Sequence, residues 1–410
     1  MSKLDKLIKT LCPDGVEYKT IGDICNKVFA GGTPTSTNNS YYGGDIPWLR
    51  SGEIDFKPIY DAEIKITEAG YNNSSTKWIK EKSVLMAMTG ATVARVGYNE
   101  IPLTANQSVC ALEIKDNINY KFLYYYLANE YNNIKSMGQG ALTSLNIARI
   151  KTITMPVPPF EVQCEIVRIL DNFTELTAEL TAELTARKKQ YEYYRDELLT
   201  FNENSSSVEW KSVGELFEIK NGLNKEKNAF GKGYPIVNFT DVYNNRWLDK
   251  GSFQGLVEVS EEERTRYSAK KGDVFFTRTS ETKEDIGMSS TLIDDVPNCV
   301  FSGFVLRARP LTNLLLPKFC SYYFSTTKVR NVIIRYASFT TRATTTGGKL
   351  SKIMVPILPL EEQERIVSIL DRFDALCNDI SIGLPAEIEA RQKQYEYYRD
   401  KLLTFKEKTA

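Results

Sequence analysis

Two stretches of this chain are almost the same, and that repetition limits the folds open to it. Residues 187–201 read RKKQYEYYRDELLTF and residues 391–405 read RQKQYEYYRDKLLTF, differing only at Lys188 against Gln392 and Glu197 against Lys401. Ahead of the first stands PVPPFEVQCEIVRILDNF, 156–173, and ahead of the second PILPLEEQERIVSILDRF, 356–373. The leading motifs are 200 residues apart and the trailing ones 204, so four extra residues lie in the second copy between Phe373 and Ala390. A period this long is not that of a solenoid. It marks tandem duplication of a whole domain together with the segment after it.

Each repeated segment has the pattern of a long helix. In the first copy apolar residues recur at three and four, at Ile166, Ile169, Leu170, Phe173, Leu176, Leu180, Leu184, Tyr191, Tyr194, Leu198 and Phe201, with Glu, Lys and Arg between them. No Gly or Pro interrupts 160–203, so at ~1.5 Å per residue a rod of roughly 60 Å is expected, suited to packing along a partner helix. The second copy is the evident partner. It carries Gly383-Leu384-Pro385, where a break or kink is predicted because proline removes a backbone donor and clashes with the preceding turn. Pro159 and Pro359 stand just ahead of each helix, where a missing N–H costs nothing. Residues 161–203 hold ten acids and five bases, a balance that repels a duplex and suits protein partners or solvent.

The segments between the motifs read as two globular units. VEYKTIGDI, 16–24, opens the first and VEWKSVGEL, 208–216, the second; DIPWLRSGEI, 45–54, is echoed by GYPIVNFTDV, 233–242. Short alternating β-rich runs, then a helical FLYYYLANEY, 122–131, or KFCSYYFST, 318–326, point to a mixed sheet with a few helices in each. The expected fold is α+β: two mixed α/β domains, 1–155 and 206–355, separated by two long helical spacers, 156–205 and 356–410, packed as an antiparallel coiled coil. NENSSS, 202–207, is the hinge between the first helix and the second unit.

Composition excludes several chemistries. The 410 residues contain no histidine, which rules out His-based acid–base work, His metal ligands and Ser–His or Cys–His nucleophiles. Seven scattered cysteines without a CxxC pair indicate neither a zinc ribbon nor a disulfide framework, and free thiols fit a reducing cytosol. There is no GxxxxGK[ST] loop and no GxGxxG. The start lacks the apolar core of a signal peptide, and no apolar run approaches the ~20 residues of a membrane span. Lys plus Arg equals Asp plus Glu at 52 each, so there is no global positive field, and any polyanion site must be local.

Local sites are visible. From Ser325 to Leu360 there is no acid, but Lys328, Arg330, Arg335, Arg342, Lys349 and Lys352 are present; from Tyr131 to Phe160 there is again no acid, with Lys135, Arg149 and Lys151 beside Gln139. These are candidate phosphate contacts. TGATVAR, 89–95, and TRTSETK, 277–283, occupy equivalent places and read as turns offering Thr89, Thr92 and Arg95, and Arg278, Thr279, Ser280 and Lys283, to base edges or phosphates. Arg50 and the turn Gly31-Gly32-Thr33-Pro34 are weaker candidates.

One tract bears on spacing. Residues 177–184 read TAELTAEL; one more unit would lengthen a helix by ~6 Å and rotate the residues beyond it by ~40°. A DNA base pair turns by roughly 35°. A helix adjusted in this unit would reposition two DNA-facing domains without losing their phase.

The order and duplication of these motifs around two variable domains, with TAEL units between, resemble the specificity subunit of type I restriction-modification enzymes, most of all the class C branch. The resemblance covers the whole chain. It implies two target-recognition domains, each reading one half of a bipartite asymmetric DNA site, and helices that hold them apart and dock two methyltransferase subunits. It places adenine methylation with S-adenosylmethionine, and ATP- and magnesium-dependent translocation and cleavage, in the methyltransferase and restriction partners, leaving this chain no catalytic residue or cofactor, a cytoplasmic location and no membrane. Two other readings stand beside it: a structural coiled-coil adaptor without DNA readout, and a fused DNA-modifying enzyme.

Overall fold

The computed structural model describes residues 2–138, 144–201, 208–379 and 382–408. The chain divides into two compact units, Met1–Leu180 with Ile388–Ala410, and Thr181–Glu387. Each unit therefore takes the start of one long helical segment and the end of the other.

In unit 1 a five-stranded sheet runs in the order Cys25–Ala30, Val109–Ile114, Val84–Ala87, Val96–Asn99, Pro58–Ile59. All pairings are antiparallel except the last, where Pro58 lies beside Tyr98 in a parallel edge. The central VLMA run is buried on both faces because both faces carry a core. Val84, Met86, Cys110 and Leu112 pack under the helix Tyr120–Asn129 and the start of the long helix, through Phe122, Leu127, Val162, Ile166 and Leu170. Leu85, Ala87, Val109 and Ala111 face a second cluster with Leu49, Ile54 and Leu103.

Unit 2 repeats this plan with different side chains. Its sheet runs Phe217–Asn221, Val305–Pro310, Val274–Thr277, Ser289–Leu292, Trp247–Leu248, again with one parallel edge. Val274, Phe276, Leu306 and Ala308 meet Phe319, Tyr322 and Phe324 of the helix Pro317–Phe324, and Phe275 and Val305 meet Phe301 and Leu292 on the other face. Both domains close at a neck where the first strand pairs with the last: Glu17 opposite Val157, and Glu209 opposite Ile357. Both necks are followed by a one-turn helix with reciprocal capping, Thr20 with Asp23 and Ser212 with Glu215.

The first helical segment is continuous over Phe160–Leu198, 39 residues, or about 58 Å. The second comprises two helices, Leu360–Asn378 and Leu384–Leu403. The break reaches to Gly383, the first residue of the triplet that signals it. Gly383 donates to the Asp379 carbonyl at 3.0 Å, and a Cβ there would stand 2.5 Å from the Ala375 carbonyl oxygen, so only glycine passes this close to the preceding helix. Pro385 sits in the first turn of the next helix, where its missing donor is not needed.

The repeated motif residues act inside the fold. Gln163 is fully buried; its carbonyl accepts from Asn119 N–H at 2.8 Å while its amide donates to the Asn117 and Pro158 carbonyls. Gln363 does the same with Leu316 N–H and the Leu314 and Leu358 carbonyls. Asp171 accepts from Tyr125 hydroxyl at 2.7 Å and Lys121 Nζ at 2.8 Å, and Asp371 from Tyr322 hydroxyl at 2.6 Å and Lys318 Nζ at 2.7 Å. Burial, reinforced by the adjacent carboxylate, raises the pKa of both tyrosines and keeps them donors. These contacts fasten each long helix to its own domain. Aromatic residues of the trailing motif then pair the helices: in unit 1 Phe173 stacks on Tyr398, in unit 2 Phe373 stacks on Tyr194, each with ring centroids 5.6 Å apart. In unit 2 Cys377, one turn beyond Phe373, lies close to Arg187 and Lys188, before Tyr194. Partner numbers fall as the helix advances, so the pairing is antiparallel.

Candidate nucleic-acid interface

In unit 2 a small ribbon joins segments that are far apart in sequence. Thr279–Ser280 pairs with Ala343–Thr344, which pairs with Ser338–Phe339. The ribbon gathers most of the unit 2 candidates. Lys283 Nζ lies 5.6 Å from the Phe339 ring centre, Lys349 Nζ donates to Ser338 Oγ at 2.5 Å, and Arg342 pairs with Glu281 at 3.0 Å. Arg278 accepts at its carbonyl from Thr345 N–H, and its guanidinium reaches the Gly303 carbonyl. Thr279 is a ribbon residue, half-buried. Ser280 is 8% exposed and its Oγ accepts from Thr282 N–H, so it shapes the turn. Arg335 is exposed at the end of the helix Thr327–Tyr336, with its guanidinium against the Tyr336 ring. Lys352 is exposed next to the neck strand, beyond the ribbon.

The acid-free run also contains Arg330, and here the structure corrects the sequence. Its guanidinium donates to the carbonyls of Gly287 at 2.6 Å, Glu284 at 2.8 Å and Ile286 at 2.7 Å, clamping the loop that carries Lys283. Burial draws its pKa down from the ordinary arginine value. A half-buried guanidinium committed to three carbonyls is a loop anchor, not a phosphate contact. Nothing in sequence spacing separates such an anchor from a surface cation.

In unit 1 the turn Gly90–Thr92, preceded by Thr89, lies against the turn Ser51–Glu53, preceded by Arg50. Arg50 pairs with Glu63 at 2.6 Å, and Arg95 with Asp55 at 2.7 Å. Phe56 packs edge-on to Tyr131, whose hydroxyl accepts from Lys135 Nζ. Arg149 donates to the Met137 carbonyl at 2.9 Å. Lys151 is set apart from these, with its Cβ beside Gly22 at the neck. Gln139 lies outside the described residues. Gly31 is a framework residue, since a Cβ there would stand 2.1 Å from the Ala105 carbonyl oxygen.

Arg50, Arg95 and Arg342 thus face carboxylates at exposed positions, where such pairs contribute ~0–1 kcal/mol. Pairs this weak can exchange the carboxylate for another anion at little cost.

The two units hold these loops by the same backbone bonds. Met88 N–H donates to the Ser108 carbonyl at 2.8 Å, and Leu145 N–H to the Met88 carbonyl at 2.8 Å; in unit 2 Arg278 donates to Phe304 at 3.0 Å, and Thr345 to Arg278 at 3.0 Å. The frame is constant and its side chains differ. Met88 stands where Arg278 does, and Ser108 where Phe304 does. The sequence points to Phe339, 48% exposed, as an aromatic among the cations of the acid-free run, but not to Phe304, which is 65% exposed; a phenylalanine in a β-rich run reads as core until its neighbours are known.

A model of the type I restriction modification DNA specificity domain matches residues 13–187 and again residues 206–390. The chain belongs to this family. Each of the two matches takes in all or nearly all of one domain and part of the helical segment after it. The chain is 32% identical to a putative type I restriction enzyme specificity subunit of Haemophilus influenzae, over 97% of this chain and 98% of the relative. It is 34% identical to the EcoR124I/EcoR124II specificity subunit of Escherichia coli, over 70% of each. The fold is shared with the HsdS subunit of Thermoanaerobacter tengcongensis, at TM-score 0.53 and 16% identity over 96% of this chain and 97% of that one. This specificity subunit therefore presents two DNA-recognition domains on one repeated frame. No helix is long and apolar enough to cross a membrane among the described residues.

Proposed function

We propose that each unit reads one half of a bipartite asymmetric DNA site, and that the antiparallel helices set the gap and dock two methyltransferase subunits. The observation that carries this is one strand order and one set of docking bonds holding two different loop sets. An asymmetric target is the consequence, because the base-facing side chains differ while the supports do not. Thr89, Thr92 and Arg50 in unit 1, and Arg278, Thr279 and Lys283 in unit 2, are the contacts nearest the varying loops. Lys135, Arg149, Arg335, Arg342 and Lys349 contact the phosphate backbone around them.

The chain contributes no chemistry of its own in this reading. S-adenosylmethionine, ATP and magnesium are bound by methyltransferase and restriction subunits, and the complex acts in the cytoplasm. A solved type I restriction-modification assembly containing a chain of this fold, at TM-score 0.64 and 17% identity, is in keeping with such partners. The test is to map methyl-adenines in the genome of a strain carrying this subunit with its methyltransferase. Two unlike half-sites separated by a fixed unspecified gap are expected; a continuous or palindromic motif would overturn the reading.

A further inference from the structure

Phe304 is a large apolar side chain standing alone on buried supports. Its neighbours Phe301 and Val305 are fully buried and Ser302 is 3% exposed, while Phe304 itself is 65% exposed. The turn beneath it is pinned from several sides. Ser302 N–H donates to the Val237 carbonyl at 2.9 Å, Gly303 N–H to Leu223 at 2.7 Å, Val305 N–H to Ser302 at 3.1 Å, and the Phe304 carbonyl accepts from Arg278. At Gly303 a Cβ would stand 2.0 Å from Asn224 Oδ1 and 3.2 Å from the Leu223 carbonyl oxygen, so the Asn224 side chain packs directly against the turn. The ring thus projects from a rigid base, next to Arg278 and the ribbon bearing Lys283, Arg342 and Lys349.

An exposed ring on a fixed turn beside cations fits a wedge against stacked bases: the cations hold the backbone, and the apolar face replaces a base neighbour. Phe339 does not fit this role, because Lys283 already covers its ring. Unit 1 has the same turn, with Val109 N–H donating to Asn106 at 3.1 Å and the Ser108 carbonyl accepting from Met88. There the position is a hydroxyl.

Resting on the reading of each unit as a half-site reader, we propose that Phe304 is an apolar wedge that unstacks one base step in the half-site read by unit 2. The half read by unit 1, with Ser108 at the same place, stays stacked. Distortion of the target is therefore one-sided, and part of the unit 2 specificity comes from how readily that step opens.

The experiment uses the full chain assembled with its methyltransferase subunits and duplexes carrying the mapped site, with 2-aminopurine placed in turn at positions other than the methylated adenines. A severalfold rise in fluorescence is expected at one step of the unit 2 half and nowhere in the unit 1 half. Phe304→Ala abolishes that rise and weakens binding roughly tenfold; Phe304→Trp keeps it, and so does Phe339→Ala. No rise in the unit 2 half of the wild-type complex, or unchanged binding and fluorescence in Phe304→Ala, overturns the wedge. Loss of copurifying methyltransferase subunits from Phe304→Ala, with the fluorescence rise intact in what remains, overturns it in favour of a protein contact. A wild-type complex that fails to bind its mapped site sinks the half-site reading itself, and the wedge with it.

Discussion

Gln163 and Gln363 show how much a single buried amide can specify. Each satisfies one N–H and one carbonyl of the loop ahead of its domain's helix and one carbonyl just ahead of the long helix, so the repeated glutamine is a fastening. Replacing Gln163 by Leu conserves volume but strands those groups, each orphaned group costing about 1–3 kcal/mol. We expect urea unfolding to show unit 1 weakened by roughly 2–4 kcal/mol, two of the three bonds being only part-buried; an unchanged midpoint would contradict the fastening role. Arg330 makes a different prediction. Arg330→Met frees the carbonyls of Glu284, Ile286 and Gly287, so the unit 2 half-site should become degenerate while the unit 1 half-site stays sharp, as read by methyl-adenine mapping. Equal degeneracy in both halves, or in neither, would count against the clamp. Neither residue's task was legible in the sequence: a repeated Gln and a cation in an acid-free run look alike whether they face DNA or the protein's own carbonyls. Phe304 shows the same limit in reverse, because exposure is decided by contacts distant along the chain.

At the scale of elements the sequence was far more informative. Apolar spacing without Gly or Pro foretold the helix Phe160–Leu198, and the alternating β-rich runs foretold mixed sheets. The helix break was anticipated near Gly383, where it falls, and glycine is needed there for a close approach to the preceding helix. The TAEL tract acquires a place in the structure: the division between units falls after Leu180, where one TAEL unit ends and the next begins. Deleting residues 177–180 shortens the helix by ~6 Å and turns it back by ~40°. The expected outcome is a recognition motif with its gap shortened by about one base pair, since a pair turns by roughly 35°, and both half-sites intact. Altered half-sites would show that the tract does more than space the units.

For the whole molecule, duplication is the organising fact. One frame, built twice from the same strand order, the same capped turn and the same Gln and Asp fastenings, holds two unlike sets of loops. A neutral chain of 52 cations and 52 anions gains little from charge alone, so its readers depend on shape and on local clusters. If the readers are independent, exchanging residues 16–155 for the corresponding domain of another specificity subunit, then mapping methyl-adenines in the host genome, tests this most directly. The account predicts that one half-site changes to that of the donor while the other half-site and the gap stay as they were; a change in both half-sites would contradict it.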